Sequence, residues 1–340
     1  MTPRIAITLG DPLGIGPEVV VKALSDARVY SDCRPFVVGN AEWIKRSVAR
    51  FAPSLSVRPI AVPPPAVSIP DTLDVLDMGG PDLSGLEYGT PDPRAAASAL
   101  AALTQATRMA LDGAIDGITT GPIHKGRMRQ VGFAFPGHTE FFADAAGAKS
   151  FGMMMVGGGL KITLATIHVA LRDVVHIKKQ TVLDAICLTH RAMRQDFGVP
   201  DPKIAVAALN PHGGEGGLFG DEEGREVAPA VSAAKNLGIH ATGPHPADTL
   251  FYHLKAGRFD AAVALYHDQA LIPIKLLAFG DAVNVTLGLP FVRTSVDHGT
   301  AYDIAGRGAA DAGSLKTALA LAAQMARHRA SGALPVSRKS

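Results

Sequence analysis

The chain has 340 residues, 47% of them apolar and 19% charged. That composition can bury a large core and excludes general disorder. The 33 Lys and Arg against 31 Asp and Glu leave a formal charge of +2, too small to mark a nucleic-acid-binding surface. Cys33 and Cys187, the two cysteines, lack CxxC spacing, which excludes a disulfide framework and a Cys-type zinc site. No uncharged apolar run reaches the ~18 residues of a membrane span. The start, MTPRIAITLGDP, lacks the layout of a signal peptide. A soluble cytoplasmic protein with no nucleic-acid or membrane partner is expected.

The first predicted element is a buried strand, RIAITLG, followed by a helix that opens at Pro17 and Glu18 and runs to about Leu24. RPFVVGN reads as a second strand. Residues 53–91, rich in Pro and Gly, read as loops with short strands. Pro93 suits the first turn of an Ala-rich helix over 94–112. AIDGITT, SFGMMMV and LKITLATIH read as strands, followed by a helix over about 175–197. Then come strand KIAVAAL, helices over 221–237 and 246–255, strand DAAVALY, a helix over about 269–279, and strand DAVNVTLG. FVRTSV forms one more strand, and a helix over 314–328 closes the pattern. The alternation predicts α/β architecture with mostly parallel sheet.

Ligands of parallel α/β sheets bind outside the carboxyl ends of the strands. Here those ends carry Asp11-Pro-Leu-Gly14-Ile-Gly16, Gly121-Pro-Ile-His124-Lys125, Ile167-His168, Asn210-Pro-His212 and His267-Asp268-Gln269. His168, His212 and His267 each end a predicted strand. Three neutral imidazoles suit a divalent transition metal and leave positions open for substrate, although a histidine taken singly is usually an ordinary loop or core residue. Gly14-Ile-Gly16 follows a strand and opens a helix, but Val19 takes the place of the third glycine of a dinucleotide fingerprint. A tight turn is sufficient explanation. Lys275 and Arg293 stand in apolar stretches, LIPIKLLAF and GLPFVRTSV, where a charge is usually paired or functional. With His138, Thr139 and Asn284 they would grip a phosphate monoester.

The blocks GDPLGIGPE, TGPIHKG, FPGHTEFF, LNPHGGEGG, GPHPADTLF, YHDQALIPIK and NVTLGLPFVRTSVDHGTA, spread in order from about Ile5 to Leu315, resemble those of the 4-hydroxythreonine-4-phosphate dehydrogenase family of vitamin B6 biosynthesis. The resemblance implies a fold similar to isocitrate and isopropylmalate dehydrogenases, with two α/β/α lobes and a cleft between them. We expect the lobes at 1–135 plus 285–340 and at 136–284, the second carrying the dimer contacts. It further implies NAD(P)-dependent oxidation of 4-phosphooxy-L-threonine to 2-amino-3-oxo-4-phosphooxybutanoate, which decarboxylates to 3-amino-2-oxopropyl phosphate. By motif position the metal ligands fall on His168, His212 and His267. The substrate residues fall on His138, Thr139, Lys275, Asn284 and Arg293. The implied metal is zinc, cobalt or magnesium, and three imidazoles favour the first two. A homodimer with a shared site is implied, with His168 and His212 from one subunit and His267 from the other. Asp248 is the candidate general base, with a water as the alternative. The family's close alternatives act on D-threonate or D-erythronate 4-phosphate, or on aromatic cis-dihydrodiols, which need no phosphate grip.

Overall fold

The computed structural model describes residues 2–64, 69 and 71–332. The chain divides into two compact units, Met1–Gly147 with Leu289–Arg327, and Ala148–Gly288 with the end of the chain from His328.

The first unit begins with β1 (Arg4–Thr8), α1 (Gly16–Leu24), the short α2 (Val29–Asp32), β2 (Arg34–Gly39) and α3 (Ala41–Phe51). It continues with β3 (Ser56–Ile60), β4 (Thr72–Asp77), α4 (Pro93–Leu111), β5 (Gly117–Thr120), α5 (Lys125–Gln130) and α6 (His138–Ala145). Asp92 caps α4, accepting the Arg94 amide at 2.8 Å, and Pro93 fills the first turn, where a missing N–H costs nothing. After the second unit the chain returns with β12 (Val292–Val296) and α12 (Gly313–Ala330), whose last three residues pass into the second unit. The strands of the first unit pair in parallel in the order β3-β4-β2-β1-β5-β12. Ile5, Ala6, Ile7, Phe36, Val37, Val38 and Ile118 are fully buried, as expected of strands covered on both faces.

The second unit runs β6 (Gly152–Gly157), β7 (Leu160–Leu164), the short α7 (Leu171–Val174), α8 (Lys179–Gln195), β8 (Ile204–Ala207), α9 (Ala228–Asn236), β9 (Ala241–His245), α10 (Ala247–Lys255), β10 (Ala261–Ala264), α11 (His267–Ala278) and β11 (Val283–Leu287). Its strand order is β11-β6-β7-β10-β8-β9. β7, β10, β8 and β9 are parallel, whereas β6 is antiparallel to both neighbours. β10 is four small apolar residues, all buried, between two cores built on Ile162, Leu250 and Ile274 and on Val206, Val231 and Val263.

The α/β reading therefore holds. The boundary differs from expectation: the segment from 136 to 147 belongs to the first unit. Its α6 carries Phe141 and Phe142, whose rings lie 5.4 and 5.8 Å from those of Phe133 and Phe291. That aromatic cluster outweighs the proximity in sequence to β6. Among the described residues no helix is long and apolar enough to cross a membrane.

Candidate active site

The Gly-rich start of α1 is a packing device. A Cβ on Gly16 would lie 2.0 Å from the Leu9 carbonyl oxygen, and one on Gly14 would lie 2.7 Å from that of Thr300. At both positions a side chain would collide with backbone, which is sufficient reason for glycine there. Buried Glu18 serves the same junction: it accepts the Ala310 amide at 2.7 Å and the Lys22 ammonium at 2.8 Å. His124, at the end of the β5 loop, caps α5 by accepting the Arg127 amide at 3.0 Å.

In the first unit the structure brings His138 and Arg293 together. Arg293 lies on β12, paired beside β5, and is 2% exposed. Its Nη2 donates to Thr120 Oγ1 at 2.7 Å, and its guanidinium stands over the Phe142 ring at 5.6 Å. Burial pushes its pKa down to about 9, with Glu140 opposing the fall. His138 opens α6 and its Nε2 is shielded from solvent without a hydrogen-bond partner. Burial lowers its pKa well below the usual histidine range, and the charges of Arg293 and Lys125 lower it further. A neutral imidazole, a buried cation and the amino end of a helix have the chemistry that suits an anion. Thr139 occupies the first turn of the same helix.

In the second unit His168, His212 and His267 follow β7, β8 and β10, three neighbouring parallel strands. The rings of His168 and His267 face each other with centroids 5.9 Å apart. His267 Nδ1 lies 2.7 Å from Asp268 Oδ1, the kind of carboxylate–imidazole contact that orients a histidine ring. Thr166 Oγ1 donates to the Leu265 carbonyl at 2.7 Å, tying the two loops. Gln269 accepts the Leu265 amide and donates to the Ala208 carbonyl, each at 2.7 Å, so the β10 and β8 loops are tied as well. The donor chemistry fits a divalent ion. Among the described residues, however, no three His, Cys, Asp or Glu of one chain close on a common point. The pair that does meet, His168 with His267, is not the pair that the family resemblance assigns to one subunit.

His212 sits in an unusual turn, Pro211–Gly217. Five successive residues, His212 to Gly216, have φ between 42° and 77°. His212 and Glu215 lack the freedom of glycine there, and such strain concentrates at functional sites. Glu223, which the sequence did not single out, anchors this turn: its buried carboxylate accepts the amides of Leu209 and Asn210 at 2.8 and 2.6 Å. No motif pointed to it, since two of its three accepted bonds come from backbone amides.

Asp248 lies exposed in the first turn of α10, which packs against the His212 turn. Asn284 is half-buried on β11, its amide nitrogen 2.9 Å from Met153 Sδ and its amide oxygen buried without a hydrogen bond, as expected of a group kept for a ligand. Lys275 is half-exposed on α11, with its ammonium 5.3 Å from the Phe279 ring. Its apolar neighbours Leu276 and Phe279 are 82% and 79% exposed, whereas Leu271 and Ile274 of the same helix are buried, so α11 turns one apolar face to the core and leaves another uncovered.

These features define an α/β protein with a buried cation beside a neutral imidazole in one unit and an imidazole-rich strand edge in the other. The chain belongs to the family described as pyridoxal phosphate biosynthetic protein PdxA, whose model matches residues 31–322. A 4-hydroxythreonine-4-phosphate dehydrogenase of Geobacter metallireducens is 46% identical over 331 residues, covering 97% of each chain. A relative from Symbiobacterium thermophilum, provisionally named D-threonate 4-phosphate dehydrogenase, is 43% identical and covers 95% of this chain and 97% of its own. The crystal structure of 4-hydroxythreonine-4-phosphate dehydrogenase from Klebsiella pneumoniae superposes with a TM-score of 0.90 at 42% identity, over 96% of this chain and 98% of that one.

Proposed function

We propose that the protein oxidises 4-phosphooxy-L-threonine with NAD or NADP to 2-amino-3-oxo-4-phosphooxybutanoate, which loses CO2 to give 3-amino-2-oxopropyl phosphate. The observation that carries this reading is Arg293: a buried guanidinium, its pKa pushed down to about 9, beside neutral His138. A cation held at that cost of desolvation is complementary to an anionic substrate. In this reading Arg293, His138 and Thr139 bind the substrate's anionic end, and the motif positions of Lys275 and Asn284 make them further substrate residues. Neutral His138 donates a hydrogen bond without adding charge.

The alcohol must lose a proton as well as a hydride. Asp248 is our candidate to take the proton. His168, His212 and His267 would hold zinc, cobalt or magnesium. Such an ion supplies Lewis acidity, which eases loss of the alcohol proton and draws electron density from the ketone before decarboxylation. Because His212 does not join the other two within one chain, the set is completed across a homodimer. Exposed apolar side chains support this: Val169 and Leu171 follow His168, Leu218 and Phe219 follow His212, and Leu276 and Phe279 follow His267. A second copy of the chain covering this surface would bury them.

The Symbiobacterium relative favours one other reading, oxidation of D-threonate 4-phosphate, whose needs for metal and phosphate grip are nearly the same. An NAD(P)H absorbance assay distinguishes the two. Turnover of 4-phosphooxy-L-threonine, lost on chelation and restored by Zn2+, Co2+ or Mg2+, is expected. Faster turnover of D-threonate 4-phosphate, or turnover indifferent to chelator, would overturn the proposal in its substrate or its metal respectively.

A further inference from the structure

We infer that Glu223 is a positioning residue that holds His212 in its left-handed turn and thereby presets a metal ligand. The metal half of this inference rests on the function proposed above; the structural half does not. Five consecutive residues in the left-handed region, two of them not glycine, persist only where their surroundings over-determine them. Glu223 supplies that constraint. One carboxylate oxygen accepts the Leu209 and Asn210 amides at 2.8 and 2.6 Å, immediately before the turn. The other accepts Asn210 Nδ2 at 3.0 Å.

The same Asn210 Nδ2 donates to Glu222 Oε2 at 2.7 Å, so the residue is held at backbone and side chain together. The carboxylate also presses against the turn itself: a Cβ on Gly214, at φ +77°, would come within 2.8 Å of Glu223 Oε2 and 2.9 Å of the Gly220 carbonyl. Glu223 is 5% exposed, so water cannot take over its three accepted bonds. A carboxylate is required for them. A glutamine would offer a single acceptor oxygen and would turn donor against donor at Asn210 Nδ2.

Two variants test this without relying on turnover. Glu223→Gln removes the charge. Gly214→Ala pushes the carboxylate and the turn apart with the charge kept, and stands in if Glu223→Gln does not fold. In hydrogen exchange by mass spectrometry, the peptide spanning 209–217 should lose protection in both variants while β8 and α9 keep theirs. In a Co2+ titration followed by its visible absorption, both should bind Co2+ about ten- to a hundredfold more weakly, the loss typical of removing an outer-shell partner. Glu223→Asp should recover part of both signals. Unchanged exchange at 209–217 overturns the inference outright. Unchanged Co2+ affinity in Glu223→Gln, with His212→Ala losing Co2+, overturns the link from Glu223 to the ligand. If His212→Ala itself keeps wild-type Co2+ affinity, the metal assignment fails, and the exchange result alone decides whether Glu223 holds the turn.

Discussion

Replacing Arg293 with Met separates what the protein gives up in stability from what it gains in binding. Burial lowers the Arg293 pKa to about 9; a fall of that size is worth ~4–5 kcal/mol at about 1.36 kcal/mol per pKa unit. Methionine removes that penalty and fills much of the same space. Against this, the Thr120 hydroxyl loses the donor now 2.7 Å away, and leaving a buried polar group unpartnered costs ~1–3 kcal/mol. The balance is a gain of about 1–4 kcal/mol for the anion-free variant, in line with other exchanges of buried ions for apolar groups. In a unit of this size each kcal/mol moves the midpoint by about 2–4 °C. Calorimetry without phosphate should therefore place Arg293→Met at least ~2 °C above the wild type. The wild type should gain on adding phosphorylated substrate, by ~2.7 kcal/mol at a hundred times Kd, and the variant should not. The sign with pH follows from the depressed pKa. The unfolded chain keeps its proton where folded Arg293 has lost it, so wild-type stability rises as pH passes about 9 and goes on rising toward the ordinary arginine range, and the gap between the two proteins begins to narrow above about pH 8 and is still narrowing at pH 10. A variant that is less stable without anion, yet still stabilised by phosphorylated substrate, would refute the assignment.

His138, with its pKa depressed by burial, binds its proton more readily in the unfolded chain. The wild type should lose stability as pH falls below about 6.5, and His138→Asn should flatten the midpoint over about pH 5–7, read by the same calorimetry. The contact between His168 and His267 within one chain sets the outcome of subunit mixing. Refolded mixtures of His168→Ala with His212→Ala should recover about a quarter of wild-type activity, whereas His168→Ala with His267→Ala should stay inactive. The reverse result would restore the division of ligands implied by family resemblance. Leu276→Asp combined with Phe279→Asp, at side chains 82% and 79% exposed, should sediment as a monomer with little change in unfolding midpoint. A dimer persisting in that double variant would remove α11 from the interface.

The strands that carry chemistry were legible because each is a short β-branched or small apolar run bounded by Gly, Pro, Asn or His. β1, β5, β7, β8 and β10 all fall where alternation and punctuation place them. α3 escaped notice because charged Glu42, Lys45, Arg46 and Arg50 break up the apolar residues of Ala41–Phe51, although Asn40 caps it by accepting the Trp43 amide at 2.9 Å. β9 was hidden by Gly243 and Pro244, residues that ordinarily argue against a strand. The helix expected over 221–237 begins as a π turn, Glu223–Val227, and its first residue turns out to anchor the His212 turn. Among the candidate residues, Arg293 behaves as its apolar surroundings suggested. Around Lys275 the run LIPIKLLAF does not reveal that Leu271 and Ile274 meet the core while Leu276 and Phe279 are left uncovered.

The second unit is an insertion in the first: residues 1–147 are made, then 148–288, and only then the strand and helix that complete the earlier fold. During synthesis β5 has one bare edge, since its partner β12 has not yet emerged. At about 5–20 residues per second, the insertion keeps it waiting roughly 7–30 s. An unpaired apolar edge is a template for wrong association. Arg293 rides on that last strand, so its pairing with His138 is assembled at the end of translation, after the imidazole-bearing unit has had time to fold. Chains released early, or variants that dock β12 slowly, would carry intact histidine loops in one unit and an open sheet in the other. Their defect would appear first as lost soluble protein, with the activity of the surviving molecules unimpaired.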